Sequence, residues 1–318
     1  MGRKKIFIDG SAGTTGLRIR ERLSSRDDLE VIALPEHLRK DLSARRDALN
    51  SCDVAMLCLP DAAAIEAAAM VVNPDVVVID TSTAHRTKSS WEYGFPELAG
   101  RRERIASSKR IANPGCHASG FVALVEPLVR AGVISRDALL HSFSLTGYSG
   151  GGKKMIADYE GNAPQEEATE RDLLKGGRQY ALGQTHKHLK EMVAICALDH
   201  APCFSPIVVP DYSGMEVTVQ LHSIDIAAVA EVYRSTYGIG GGEGMVRFVE
   251  NASEGGMLSS SSFSQYDDME LSVHGNAERA ILVARFDNLG KGASGAAIQN
   301  MNIVLGVEED KGLCRRLV

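Results

Sequence analysis

The chain has 318 residues, 44% of them hydrophobic and 24% charged, and a formal net charge of −6. That is long for a single hydrophobic core, so two domains are expected. The mild acidic balance gives no basic field for nucleic acid or an anionic membrane surface, which leaves a small molecule as the expected partner.

Residues 1–5 lead straight into the apolar Ile6-Phe7-Ile8, a first strand, and no secretory leader is expected. A glycine turn and a helix over residues 17–23 come next. Residues 31–34, 54–59 and 76–80 read as further strands, with an alanine-rich helix over 62–72 between the last two. Continuous apolar strands separated by helices mark a parallel sheet covered on both faces. Residues 1–115 therefore read as a Rossmann-type, doubly wound nucleotide-binding domain in an α/β protein.

The pattern changes after residue 115. A helix over 118–130 precedes alternating segments at 141–146, 204–209, 215–222 and 281–286. These suit a mostly antiparallel mixed sheet with one covered face, an α+β catalytic and dimerisation domain over 116–293. The chain is helical again from Ser294, and a C-terminal helix over about 294–318 is expected to pack back on the first domain. The glycine-rich run 238–244 and the serine-rich run 259–264 read as surface connections. No apolar run is long enough to span a bilayer.

Six cysteines lie scattered at positions 52, 58, 116, 196, 203 and 314. They are expected to be reduced thiols of a cytoplasmic protein. No metal site is expected, since Cys196 and Cys203 stand too far apart for a zinc knuckle.

Between the first strand and first helix stands Gly10-Ser11-Ala12-Gly13-Thr14-Thr15-Gly16, spaced Gly-x-x-Gly-x-x-Gly. Gly10 permits a tight turn, Gly13 lets backbone approach a pyrophosphate, and Gly16 lets the helix lie close to the strand. The helix N-terminus adds N–H groups and the positive dipole end. After the second strand the chain reads Glu36-His37-Leu38-Arg39-Lys40. Glu36 suits a ribose, whereas Arg39 and Lys40 suit the 2′-phosphate of NADP(H); a solvated basic pair is the third reading.

Ala112-Asn113-Pro114-Gly115-Cys116 falls where the pattern changes, and the apolar run behind it starts a helix. Cys116 thus stands at a helix N-terminus, where dipole and free amides favour a thiolate. The other five cysteines read as small buried hydrophobes. A thiolate beside a nicotinamide suggests attack on an activated carbonyl, followed by hydride reduction of a thioester to an aldehyde. That cycle needs an acid/base, and Thr185-His186-Lys187-His188 supplies the best candidates. If both histidines lie on a helix they face different ways, so one of His186 and His188 reaches the cysteine. His117, next to Cys116, is expected to point elsewhere.

The block at Cys116 resembles that of the N-acetyl-gamma-glutamyl-phosphate reductases, in their shorter form. The resemblance extends through the blocks at residues 78–86, 93–98, 147–154 and 287–302. It implies NADPH-dependent reduction of N-acetyl-glutamyl phosphate to the semialdehyde and phosphate, a step of arginine biosynthesis. It also implies Cys116 as the acylated residue, the His186/His188 pair as acid/base, and a homodimer or homotetramer. Longer members follow the histidines with Pro-Glu, where this chain has Leu189-Lys190-Glu191. For an anionic substrate, Arg86 and Arg110 are candidates beside Asn113, with Lys153 and Lys154 also in range. Tyr148, Ser149 and Gly150 offer loop backbone N–H groups to the substrate. Ser82 and Asn300 are assigned to the cofactor, Asn300 through the nicotinamide carboxamide. The rival is aspartate-semialdehyde dehydrogenase, whose cysteine follows an asparagine directly; a non-catalytic nucleotide-binding regulator is the rival of another class.

Overall fold

The computed structural model describes residues 2–165, 168–238 and 244–316, and the chain divides into two compact units. The first comprises residues 1–96, 100–115 and 293–313; the second comprises 97–99, 116–292 and 314–318.

The first unit begins with β1 (Lys4–Asp9), α1 (Thr14–Leu23), β2 (Leu29–Ile32), α2 (Leu42–Ser51), β3 (Val54–Leu57) and α3 (Asp61–Met70). It continues with β4 (Val77–Asp80), β5 (Glu92–Tyr93), α4 (Arg101–Ser107) and β6 (Arg110–Ala112). All pairings are parallel, in the order β2-β1-β3-β4-β6-β5. Alternate side chains of each strand feed two separate apolar layers. Ile6, Ile8, Val54, Met56 and Ile79 join Ile19 and Leu23 of α1 on one face. Phe7, Ala55, Leu57 and Val78 join Leu49 of α2 and Ala67 of α3 on the other. Burial on both faces is why these strands read as continuous apolar runs. Asp41 caps α2, its carboxylate accepting from the Ala44 N–H at 2.8 Å.

The second unit opens with α5 (Cys116–Arg130), which starts directly after the first unit's Gly115. Then come β7 (His141–Gly147), α6 (Gly152–Glu160), β8 (Arg178–Gln179), α7 (His188–Cys196), β9 (Cys203–Val209) and β10 (Met215–His222). The unit's remaining elements are α8 (Ile226–Tyr237), β11 (Val246–Phe248), β12 (Met269–Gly275) and β13 (Arg279–Phe286). The seven strands form a mixed sheet in the order β11-β12-β13-β10-β7-β9-β8. The pairs β11–β12 and β7–β9 are parallel and the other four antiparallel. Helix α5 packs on β10 and β13 and is buried along nearly its whole length. Phe143 and Ile281 remain exposed.

The last helix, α9 (Gly295–Leu305), returns to the first unit, where Ala297, Ile298 and Met301 pack into the layer with α1. It is shorter than expected. Gly306, at φ 68°, takes the left-handed conformation that ends a helix, so no helix runs on through 316. Residues 314–316 belong to the second unit, where the Asp267 N–H donates to the Cys314 carbonyl and the Cys314 N–H donates to Asp267 Oδ2. Most of the glycine-rich run 238–244 lies outside the described residues.

Candidate active site

In the first unit the glycine turn leaves the carboxyl end of β1, between β1 and β3, where the strand order reverses. A doubly wound sheet binds nucleotides at such a switch point. Gly10 sits at φ 88°, and a Cβ there would lie 2.2 Å from the Cys58 carbonyl oxygen. A Cβ on Gly16 would lie 2.5 Å from the Gly10 carbonyl oxygen, so the close seating of α1 requires that glycine. Gly13 differs, because a Cβ there would meet nothing nearer than 3.5 Å. The protein's own packing therefore leaves Gly13 room for a side chain, and its lack of one suits a ligand approaching the backbone.

No side chain caps α1 and no acid occupies its first turn. The Thr14 hydroxyl is buried there without a hydrogen-bond partner. Asp9, the nearest buried carboxylate in sequence, is neutralised by Arg45 at 2.9 Å. An uncapped helix end with an unused hydroxyl fits a pyrophosphate. Glu36 and Arg39, the alternatives after β2, form an ion pair with each other at 2.5 Å.

A second set of polar groups is buried in the same unit. The Asn300 amide donates to the Gly94 carbonyl at 2.9 Å and to Asn113 Oδ1 at 3.1 Å, leaving Asn300 Oδ1 buried without a partner. A buried acceptor lacking a donor fits a carboxamide N–H₂. Asn113 in turn donates to the Ala293 carbonyl at 3.0 Å. Ser82 is committed to the protein: its hydroxyl donates to Asp80 at 2.7 Å, and Asp80 also holds His85 Nδ1 at 2.6 Å. His85 stacks on Trp91 with centroids 4.0 Å apart, an arrangement that composition gave no sign of.

The cations divide. Arg86 is buried and donates to the carbonyls of Asn113 and Thr81, both at 2.9 Å, bracing the chain just before Cys116. Arg110 begins β6 and donates to the carbonyls of Val76 and Lys109. That is the amino edge of a parallel sheet, opposite the edge of the glycine turn, so the structure does not bring Arg110 to the site. Its partial burial pulls its pKa below the ordinary value.

In the second unit, Cys116 is the first residue of α5 and half-buried, with no acid in the helix's first turn. A Cβ on Gly292 would lie 3.0 Å from the Cys116 Cβ, so the chain passes close against the cysteine. The next residue, His117, belongs to a group of rings. His117 lies 5.5 Å from His186 and 5.6 Å from His188, and the latter two are 4.7 Å apart between centroids. Phe204 packs edge-on to His117 and to His186, both at 5.3 Å.

Two expectations fail here. His186 precedes α7 instead of lying on it, so the two histidines are not held on different faces of one helix. Its Nδ1 accepts from the His188 backbone N–H at 3.2 Å, and both rings reach the cluster. His117 does not point elsewhere; it turns into the core, where its Nδ1 meets Ser144 Oγ at 2.7 Å and its Nε2 meets Tyr180 Oη at 2.6 Å. Burial, then the nearby His186, push the His117 pKa down to about 3. Burial, then the charge of Cys116, push the Tyr180 phenol well above its usual value. Gln184 pins the intervening loop to β9 through two 2.8 Å hydrogen bonds with the Phe204 backbone. Sequence reasoning missed Tyr180 and Ser144; the aromatic six residues before a histidine was the available signal for the first.

The glycine loop also departs from expectation. The Tyr148 and Ser149 N–H groups donate to the carbonyls of Asp211 and Tyr212, and Ser149 Oγ accepts from Asn288. They are not offered to a ligand, and Gly150 follows them in the same 3₁₀ turn. Lys153 and Lys154 are exposed on α6, where they line a shallow cavity of about 320 Å³ with Asp158 and Pro164. Among the described residues no group of three His, Cys, Asp or Glu is disposed to hold a metal, and no helix is long and apolar enough to cross a membrane.

Similarity to known proteins agrees with this division. Residues 5–108 match the family described as semialdehyde dehydrogenase, NAD binding domain, and residues 116–288 match semialdehyde dehydrogenase, dimerisation domain. Aspartate semialdehyde dehydrogenase II from Vibrio cholerae superposes with a TM-score of 0.73 at 17% identity, covering 96% of this chain and 99% of that one. The Candida albicans aspartate semialdehyde dehydrogenase, solved with NADP, gives 0.66 at 15% identity, covering 97% and 99%. At these identities the likeness establishes the fold, that of an NAD(P)-linked semialdehyde dehydrogenase.

Curated relatives are far closer in sequence. An N-acetyl-gamma-glutamyl-phosphate reductase of Trichormus variabilis is 41% identical, covering 98% of this chain and 100% of its own length. One of Brucella anthropi is 43% identical, covering 95% and 98%. The chain belongs to the N-acetyl-gamma-glutamyl-phosphate reductase family, and so is an oxidoreductase.

Proposed function

We propose that the protein reduces N-acetyl-L-glutamyl 5-phosphate to N-acetyl-L-glutamate 5-semialdehyde and phosphate with NADPH, through a thioester on Cys116. The observation that carries this reading is Cys116 at the start of α5, next in sequence to His117, whose ring meets those of His186 and His188, in a chain 41% identical over its length to a named reductase.

The α1 dipole and the N–H groups of its first turn would hold the pyrophosphate, with Gly13 leaving room for its approach, and Asn300 Oδ1 would accept from the carboxamide. Bound there, the reduced nicotinamide supplies the hydride. Arg39 is the cation available for a 2′-phosphate, exchanging its partner Glu36 for it. The α5 dipole favours the Cys116 thiolate, which attacks the acyl carbonyl as the C–O bond to phosphate breaks. Hydride addition to the thioester carbonyl leaves an alkoxide, which takes a proton from the acid/base; the thiohemiacetal oxygen returns that proton as the C–S bond breaks, and the aldehyde leaves with thiolate restored. We assign proton transfer to His186, which is half-exposed where His188 is buried, and therefore within reach of substrate. Arg86 serves by fixing the Asn113 carbonyl ahead of the nucleophile.

The match of residues 116–288 to a dimerisation domain supports a homodimer, and a homotetramer is the larger assembly in view. Six free thiols and a phosphorylated metabolite as substrate support a cytoplasmic place in arginine biosynthesis.

The test is phosphate-dependent NADP reduction with N-acetyl-glutamate semialdehyde, run beside aspartate semialdehyde. Turnover of the first alone is expected. Turnover of the second alone would move the protein to the other enzyme class, and turnover of neither would make it a regulator.

A further inference from the structure

We propose that Gln184 is a positioning residue for His186, on the reading of that histidine as the proton-transfer group. Its side-chain amide takes the place of a strand residue at the edge of β9, and so lets the chain turn His186 into the ring cluster.

The sheet edge needs such a substitute. Arg178 and Gln179 of β8 pair antiparallel with Val208 and Ile207, and the Tyr180 N–H donates to the Pro206 carbonyl at 3.1 Å. Pro206 has no N–H to return that bond. The same register would next set residue 182 opposite Phe204. The chain instead leaves the edge after Tyr180, and Leu182 is exposed. At Phe204 the Gln184 amide fills in: Nε2 donates to the carbonyl and Oε1 accepts from the N–H, both at 2.8 Å. Both partners are backbone groups of fixed role, so they settle which way the amide points.

The detour is strained where the amide acts. Ala181 and Gln184 both stand at φ 54°, in the left-handed region that favours glycine. Gly183 is adjacent, yet the left-handed position belongs to the residue with the side chain. Two hydrogen bonds that glycine could not make hold glutamine there. Its own N–H closes the turn on the Ala181 carbonyl at 2.9 Å.

Two residues further on, the His186 ring packs edge-on to the side chain of the same Phe204, with centroids 5.3 Å apart. It also meets His188 at 4.7 Å and His117 at 5.5 Å. Its Nδ1 accepts from the His188 N–H, so the neutral ring carries its proton on Nε2. Gln184 holds the backbone of Phe204 and His186 lies against its ring, so one residue of β9 sets the place of both. Without the amide the turn loses its anchor on β9, and His186 loses the fixed geometry that proton transfer needs.

The experiment is a double-mutant cycle on the full-length protein: Gln184→Gly, His186→Asn and the two together, with kcat, KM and melting temperature read for each. Gln184→Gly should lower kcat about tenfold or more, with KM changed by less than about twofold. Gln184 is exposed, so its loss opens no cavity, and glycine takes the φ of 54° without strain; the melting temperature should stay near the parent's. In the His186→Asn background the same change should leave kcat within about twofold. A loss as large there as in the parent would mean a merely structural role and overturn the proposal. So would an unchanged kcat in Gln184→Gly. Should that variant fail to fold, Gln184→Glu takes its place and the same outcomes decide. It keeps an acceptor for the Phe204 N–H but sets a carboxylate oxygen against the Phe204 carbonyl. A second arm needs no substrate: carbethoxylation of His186 by diethyl pyrocarbonate, followed by mass spectrometry of its peptide. Its rate should rise about threefold or more in Gln184→Gly, and an unchanged rate would overturn the proposal. A His186→Asn protein with the parent's kcat would remove the acid/base reading instead, and the proposal with it.

Discussion

The two halves of the chemistry are built differently. The glycine turn of the first unit is one contiguous segment that offers backbone N–H groups at an uncapped helix start. The ring cluster of the second unit is made of side chains from α5, β7, the 178–186 segment and the first turn of α7. A backbone site tolerates changes of side chain except where a Cβ intrudes. A side-chain site fails whenever one of its members changes. Substitutions in the two regions should therefore lose function in different ways.

The largest effect is expected at the nucleophile. Cys116→Ser should lower kcat by about 10⁴-fold or more, while NADP still binds with its original affinity in a fluorescence titration. Loss of cofactor binding in that variant would break the comparison, since it would tie the two regions into one site. Next comes the acid/base. His186→Asn should cost about 10²- to 10³-fold in kcat, and His188→Asn clearly less, both read in the steady state with saturating substrate. Equal and small losses would remove the pair from the mechanism.

The glycine turn should respond by position. Gly13→Ala meets nothing closer than 3.5 Å, so its melting temperature should stay put while its Kd for NADP rises about tenfold or more. Gly10→Ala combines φ 88° with a 2.2 Å clash against the Cys58 carbonyl, and should lose about 1–3 kcal/mol of stability in urea as well as cofactor binding. Equal stability losses in both would refute the idea that Gly13 is kept small for a ligand.

The last effect concerns pH. His117 titrates near 3 when folded and near its ordinary 6.5 when unfolded, so the unfolded chain binds the extra proton between those values. Its contribution to stability is complete above about pH 6.5 and falls as the pH drops toward 3, with a slope of at most about 1.4 kcal/mol per pH unit. His117→Asn should flatten the decline of melting temperature between pH 6.5 and 4, compared with the parent. A decline of unchanged slope would mean that His117 is not held neutral.

Much of the first unit was legible because its signals are local. Apolar runs of strand length recur between helices, and Gly10, Gly13 and Gly16 sit where a strand must turn into a helix. The short strands β5 and β6 gave no run to read, and the ion pair of Glu36 with Arg39 joined two residues weighed as rivals. Arg110 looked placed for substrate by its distance in sequence from Cys116. Strand direction puts it at the far edge of the sheet.

The sequence by itself determined the parallel sheet, the glycine turn between strand and helix, the cysteine at a helix start and, through its motifs, the family. Each depends on neighbours within a few residues, where covalent geometry and hydrophobic period leave little choice. Only the tertiary structure decided that His117 turns inward to Ser144 and Tyr180, that both histidines before and at α7 join it, and that the Tyr148–Ser149 amides are already satisfied. These are contacts between segments 27 to 71 positions apart, and packing alone brings such segments together.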